Sequence, residues 1–281
     1  MRRLALAAVL LAVPLVQAQS APEPTYVAMG SSFAAGPGIP KPDPASPPRC
    51  ARSTENYAHL FAAARGLILH DVSCSGATTA DILDGSAALP PQLDAVTPAT
   101  RLVTITIGGN DVAFIRNLYA WSCQSQPATP NAEPHHCGNP MPPAEVEAAF
   151  VALPGHLRAI VTRIHERAPQ ARVVFIDYIT IVPATGSCPD RLPLTPEQAD
   201  QARATAHRLA ALTAEVAQST GALVLKASEL SADHDVCAID PWASPIHPQS
   251  GAPQAIFAPY HPNAQAMRAI AEGLAASIPK E

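Results

Sequence analysis

The sequence predicts a doubly wound α/β fold in one domain, and three observations carry that reading. Short β-prone runs alternate with helical segments along the whole chain. Several of those runs are almost continuously apolar, as strands covered on both faces are. Glycine and proline cluster between the periodic segments rather than within them. Such alternation implies parallel pairing with helices on both faces of the sheet. The domain is expected over residues 25–279, with no linker and no internal repeat.

Residues 1–18 read as a leader outside that domain. Met1-Arg2-Arg3 is positive, Leu4 to Val16 is apolar apart from Pro14, and Val16-Gln17-Ala18 has the form of a signal-peptidase site. The apolar run is shorter than the ~20 residues that span a bilayer. The expectation is an exported chain, secreted or periplasmic, with no stable membrane insertion.

The elements follow in order. Thr25 to Met29 is a strand that runs into Gly30-Ser31-Ser32. After a proline-rich loop (Pro37 to Arg49), Ser53 is placed to cap a helix from Thr54 to Arg65 that stops at Gly66. Leu67 to Val72 is a second strand, and Thr78 to Leu83 a short helix. Arg101 to Ile107 is a third strand that ends at Gly108-Gly109, with a helix expected from Asp111 to Tyr119. Trp121 to Pro143 has no periodicity and reads as a loop tied by Cys123 and Cys137. Ala144 to Arg167 is helical, with a break expected near Pro154. Ala171 to Ile176 is a fourth strand. Thr195, Pro196 and Gln198 make a capping box for a helix that ends at Gly221. Ala222 to Leu225 is a fifth strand, and a last helix opens at Pro262-Asn263 and runs to Ser277.

Charge and cysteine narrow the function classes. The net charge is -5 and no basic cluster follows the leader, which argues against nucleic acid as a partner. Six cysteines, at 50, 74, 123, 137, 188 and 237, make an even set in an exported chain and read as disulfides. Fifteen pairings are open; pairing neighbours in order (Cys50 with Cys74, Cys123 with Cys137, Cys188 with Cys237) closes three modest loops and is the expected one. His135-His136-Cys137 fits no common zinc spacing, so no metal is expected.

An α/β sheet binds ligands at the carboxyl ends of its strands. Three segments leave strands with unusual residues there: Gly30 to Phe33, Ser73 to Thr79, and Gly108 to Asp111. Together they suit acyl transfer. Ser32 is the candidate nucleophile, and its own N–H, at a helix start, has no partner in the helix. Gly76 lets a backbone N–H approach a reacting oxygen, and Asn110 offers an amide. Those three groups make a candidate oxyanion hole. A serine needs a base. Of ten histidines, His59, His70, His156, His165 and His207 fall within predicted elements, and His234 sits between two aspartates. His247 and His261 remain in the late loop, and His261 is favoured because the final helix starts directly after it.

These segments resemble the blocks of the SGNH, or GDSL, hydrolases. Tyr26 to Gly36 (YVAMGSSFAAG) resembles the first block, SCSGATT (73–79) the second, IGGND (107–111) the third and YHPN (260–263) the last. The resemblance implies a flavodoxin-like three-layer α/β/α sandwich with a central, mostly parallel five-stranded sheet, and ester hydrolysis without metal or cofactor. It is closest to the secreted actinobacterial branch, in which three sequential disulfides are usual. Two positions depart from the family pattern. Residue 31 is serine where aspartate is usual, and residue 258 is alanine where the family has the histidine-orienting aspartate. With no carboxylate between Pro241 and His261, a Ser–His dyad is expected, with the Ala258 carbonyl orienting the ring; Asp240 is the nearest upstream acid for a triad. An α/β-hydrolase is disfavoured, because Gly30-Ser31-Ser32-Phe33-Ala34 lacks the second glycine of a nucleophile elbow.

The leading expectation is therefore a secreted serine esterase, monomeric, acting on a small-molecule or lipid ester. A lipase or phospholipase A1 acting on long acyl chains is the alternative among enzymes. A degenerate domain that binds without turnover is the alternative outside them.

Overall fold

A computed structural model describes residues 25–125, 137–247 and 258–279. The expected leader (1–18) and the His135-His136 pair lie outside them. Five strands form one sheet: β1 (Tyr26–Gly30), β2 (Leu69–Asp71), β3 (Leu102–Thr106), β4 (Arg172–Ile176) and β5 (Leu223–Leu225). Their order is β2-β1-β3-β4-β5 and every pairing is parallel. The doubly wound α/β expectation holds, and the sheet is wholly rather than mostly parallel.

Among the described residues eight α-helices flank it: α1 (Ser32–Ala35), α2 (Tyr57–Arg65), α3 (Thr79–Leu83), α4 (Phe114–Gln124), α5 (Pro143–Arg167), α6 (Pro196–Thr220), α7 (Ala227–Leu230) and α8 (Ala264–Ser277). The chain leaves β1 in one direction to reach β2, then reverses to build β3, β4 and β5. Right-handed crossovers then put α2 and α8 together on one face, and α3, α5 and α6 on the other. The reversal falls between β1 and β3, the switch point where such sheets open a crevice at their carboxyl ends. Both strands are buried along their whole length, and neither carries a charged residue: β1 is apolar throughout and β3 adds only Thr104 and Thr106 to its apolar residues.

Gly30 closes the gap between those strands. Its φ is +134°, and a Cβ there would stand 2.3 Å from the Thr106 carbonyl oxygen. The Gln92 side chain clamps the same residue: Gly30 N–H donates to Oε1 at 2.7 Å, and Nε2 donates to the Gly30 carbonyl at 3.0 Å.

Several boundaries differ from the sequence reading. Asn56, not Ser53, caps α2, accepting the His59 N–H at 3.1 Å. Ser53 instead donates to the Pro40 carbonyl at 2.6 Å, fixing the proline-rich loop. Helix α4 starts later, at Phe114, because residues 108–113 form a tight turn with left-handed backbone at Gly108 and Ala113. It ends later too, taking Trp121 to Gln124 out of the expected loop. Helix α5 runs unbroken through Pro154. Leu153 and Leu157 are fully buried on either side of the proline. Their packing outweighs the ~3 kcal/mol that an interior proline costs. The capping box of α6 and its stop at Gly221 are as expected. Three disulfides are formed: Cys50–Cys74, Cys123–Cys137 and Cys188–Cys237.

Candidate active site

Ser32 opens α1, directly beyond the carboxyl end of β1. Its neighbour Ser31 donates its N–H to the Thr106 carbonyl at 2.9 Å, so the turn is pinned to β3 before the helix begins. His261 stands one residue before Pro262 and two before Asn263, which caps α8 by accepting from the backbone of Gln265 and Ala266. The two side chains meet: His261 Nε2 lies 2.7 Å from Ser32 Oγ.

The other ring nitrogen settles the direction of that bond. His261 Nδ1 lies 2.8 Å from the Pro259 carbonyl oxygen. A carbonyl only accepts, so Nδ1 carries the hydrogen and Nε2 presents its lone pair to the serine hydroxyl. The expected Ala258 carbonyl is not the partner. It accepts the backbone N–H of His261 instead, at 3.4 Å. The cause is Tyr260, which holds φ at +65°. Its N–H donates to the Ser244 carbonyl at 2.7 Å and its hydroxyl donates to Ser122 Oγ at 2.6 Å. This locked turn carries the Pro259 carbonyl under the imidazole. Asp240 is not engaged with His261; its carboxylate accepts from Gln265 Nε2 at 3.0 Å.

Burial lowers the His261 pKa to about 4, a shift that the Pro259 hydrogen bond opposes. The ring keeps some exposure. At neutral pH it is uncharged and able to take a proton.

Gly76 and Asn110 sit on neighbouring turns that are stitched together. Asn110 Nδ2 donates to the Ala77 carbonyl at 2.8 Å, which orients the amide and leaves its second hydrogen available. Asp111 accepts the Thr79 N–H at 3.1 Å and the Thr79 hydroxyl. The Cys50–Cys74 bridge and the Ser75 hydroxyl, which donates to the Cys50 carbonyl at 2.8 Å, hold the same loop from outside. Asp71 anchors its start, accepting the Ser73 N–H at 2.9 Å and hydroxyl at 2.6 Å. Gly76 has φ +83° and nothing within 4 Å of where a Cβ would lie, so backbone conformation, not crowding, calls for glycine. The backbone N–H groups of Ser32 and Gly76 have no hydrogen-bond partner among the described residues.

Four other described histidines make contacts apart from the Ser32–His261 pair. His156 Nδ1 meets Thr79 Oγ1 at 3.1 Å, and His165 Nε2 meets the Ala171 carbonyl at 3.2 Å. His59 lies 3.6 Å from Asp71. His234 stacks on Trp242 with ring centroids 4.1 Å apart, and its Nδ1 lies 2.8 Å from the Asp240 carbonyl oxygen.

The sequence reading missed Tyr178, Phe33 and Gln92. Tyr178 lies two residues past the end of β4, and that position, just beyond the carboxyl end of a strand, was the available signal. Its hydroxyl accepts the Gly109 N–H at 2.8 Å and lies 3.3 Å from Ser31 Oγ. Phe33 stands between Tyr178 and His261, with ring centroids 4.6 Å and 5.0 Å away.

Residues 28–269 match the model of the GDSL-like lipase/acylhydrolase family. The chain is 35% identical to lipase 2 of Streptomyces coelicolor over 267 residues, covering 91% of this chain and 86% of that protein. It is 32% identical to a lipase of Streptomyces rimosus, covering 86% of this chain and 87% of that one. Two solved structures share the fold. The extracellular lipase of Streptomyces rimosus has a TM-score of 0.71 and 29% identity, covering 90% of this chain and 99% of that one. Phospholipase A1 of Streptomyces albidoflavus has a TM-score of 0.71 and 25% identity, covering 92% and 100%.

Proposed function

The chain belongs to the GDSL-like lipase/acylhydrolase family and is a carboxylic-ester hydrolase, and on that premise we propose that it is an exported serine esterase working through a Ser32–His261 dyad and an acyl-enzyme. The observation that carries this reading is the 2.7 Å contact between Ser32 Oγ and His261 Nε2, with Nδ1 held at 2.8 Å by the Pro259 carbonyl.

In the forward step the Ser32 proton passes to Nε2 while Oγ bonds to the acyl carbon. The carbonyl oxygen gains charge and is received by the N–H groups of Ser32 and Gly76 and by the Asn110 amide. Collapse breaks the ester C–O bond, and the alcohol leaves with the proton from Nε2. Water then gives a proton to Nε2, attacks the acyl carbon and releases the acid, and Ser32 recovers its hydrogen. The Pro259 carbonyl fixes the tautomer that this cycle needs. It lacks the negative charge that an aspartate would bring to the imidazolium.

Three disulfides in the described residues support export. The basic, apolar start of the sequence and the extracellular lipase among the similar structures agree with it. Among the described residues no helix is long and apolar enough to cross a membrane. A second reading, hydrolysis of long-chain lipid esters, is favoured by the likeness to a lipase and a phospholipase A1.

The test is hydrolysis of p-nitrophenyl acetate and octanoate by the oxidised protein beside Ser32→Ala. The expected result is turnover by wild type and none above background by the variant. The acetate-to-octanoate ratio separates the two readings. Equal, inert behaviour of two folded proteins would sink the proposal.

A further inference from the structure

Residue 31 departs from the family pattern, and its contacts are buried. Ser31 is 1% exposed and its hydroxyl points at Tyr178 Oη, 3.3 Å away. The phenol oxygen also accepts the Gly109 N–H at 2.8 Å. A phenol has one hydrogen to donate and an oxygen that accepts, so Tyr178 takes the Gly109 N–H and shares with Ser31 a hydrogen bond in which either hydroxyl can be the donor. Burial pushes the Tyr178 pKa up to about 12, which keeps that hydrogen in place at neutral pH.

The packing is as specific as the hydrogen bonds. A Cβ on Gly109 would stand 2.5 Å from the Tyr178 ring carbon that bears the hydroxyl, so the ring lies directly on the glycine backbone. Phe114 meets the same ring edge-on at 6.1 Å. Phe33 continues the stack from Tyr178 to His261. One side chain from the end of β4 therefore touches the turn before the nucleophile and the turn before Asn110.

We propose that Tyr178 is a positioning residue for ester hydrolysis: its hydroxyl ties the Ser31–Ser32 turn to the Gly109–Asn110 turn and so fixes the distance between nucleophile and oxyanion donor. The inference rests on the ester-hydrolase reading of the same site. It assigns to Tyr178 no contact with the substrate.

The experiment is a double-mutant cycle on p-nitrophenyl acetate using wild type, Tyr178→Phe, Asn110→Ala and the double variant, with urea unfolding of each. Tyr178→Phe keeps the ring and removes one oxygen, leaving the Gly109 N–H buried without a partner. Its kcat is expected to fall about ten- to hundredfold, with KM within about threefold. Asn110→Ala is expected to lower kcat about 10²–10³-fold. If Tyr178 acts through the Asn110 turn, the double variant falls no more than about threefold below Asn110→Ala. A purely structural tyrosine would lower the unfolding midpoint and leave kcat within twofold, and that result overturns the proposal. Losses that multiply in the double variant overturn it too, because Tyr178 would then act independently of Asn110. Should Tyr178→Phe fail to fold, Ser31→Ala removes the other end of the link; a kcat within twofold of wild type there also overturns it. An inert wild type would overturn the ester-hydrolase reading and this inference together. An active wild type with unaffected Tyr178→Phe removes this inference alone.

Discussion

Replacing Gly30 by alanine tests whether the end of β1 has any room to give. The new Cβ would lie 2.3 Å from the Thr106 carbonyl oxygen and 3.0 Å from the Thr106 nitrogen. Both are backbone atoms of the neighbouring central strand, so no rotamer change relieves the contact. Nor can Gly30 retreat. Gln92 holds its N–H and carbonyl, Cys74 N–H donates to the same carbonyl at 3.0 Å, and Ser31 is tied to Thr106. Relief requires the ends of β1 and β3 to part by about an ångström. Overpacking costs about 1–3 kcal/mol. A non-glycine residue at φ +134° adds about 1–3 kcal/mol. The sum, about 2–6 kcal/mol, is a large share of the ~5–15 kcal/mol that stabilises a domain. The displacement also falls two residues before Ser32, where a 1 Å error costs about 100-fold in rate. The assay is urea unfolding with p-nitrophenyl acetate turnover, and Gly76→Ala is the control for the unfolding measurement alone. At Gly76 the same change meets no atom within 4 Å and pays only for its positive φ, about 1–2 kcal/mol. A Gly30→Ala protein within ~0.5 kcal/mol of wild type and fully active would refute the reasoning, since that is the size of an ordinary surface change.

Three further outcomes follow, two from His261 and one from a disulfide. Because burial lowers the His261 pKa from 6.5 to about 4 and catalysis needs the neutral ring, the acid limb of kcat/KM should fall between those values; a limb at or above 6.5 would contradict the desolvated site. The linkage sign is equally definite: between 6.5 and about 4 the unfolded chain binds a proton that the native ring refuses, so stability falls as pH drops through that window, and His261→Gln should lose this slope in urea titrations. Cys188–Cys237 closes a loop with a sequence separation of 49. Its removal as the Cys188→Ser/Cys237→Ser pair should cost up to about 4 kcal/mol by the chain-entropy account, read as a lower urea midpoint. An unchanged midpoint would show that the bridge constrains nothing in the unfolded chain.

Much of the molecule was legible because its signals are local. Capping at Thr195, the stop at Gly221 and the β-prone, mostly apolar runs of β1, β3 and β4 need only neighbouring residues to be read. Parallel pairing followed from the alternation of strands and helices. Ser32, Gly76, Asn110 and His261 could be named because each lies on a short motif beside a strand end or a helix start. The structure brings Ser32 and His261 into contact beyond β1 and ties the Asn110 side chain to the turn that carries Gly76.

Tertiary structure alone decided the rest, wherever the determining partner is remote in sequence. Pro154 was read as a break, yet the buried Leu153 and Leu157 carry α5 through it. Ala258 was named from the family resemblance, as the position where aspartate is usual, but the partner of Nδ1 is set by the left-handed turn at Tyr260, which is locked by Ser122 and Ser244. Tyr178 lies 147 residues from Ser31 and 69 from Gly109 along the chain, and Gln92 lies 62 from Gly30. No periodicity or motif records such contacts. The sequence by itself determined which groups could do the chemistry, because those are properties of residue type beside a strand end. Only the packed fold decided which carbonyl turns the histidine and which hydroxyl joins the two turns, because each is a choice among near-equivalent neighbours made by distance.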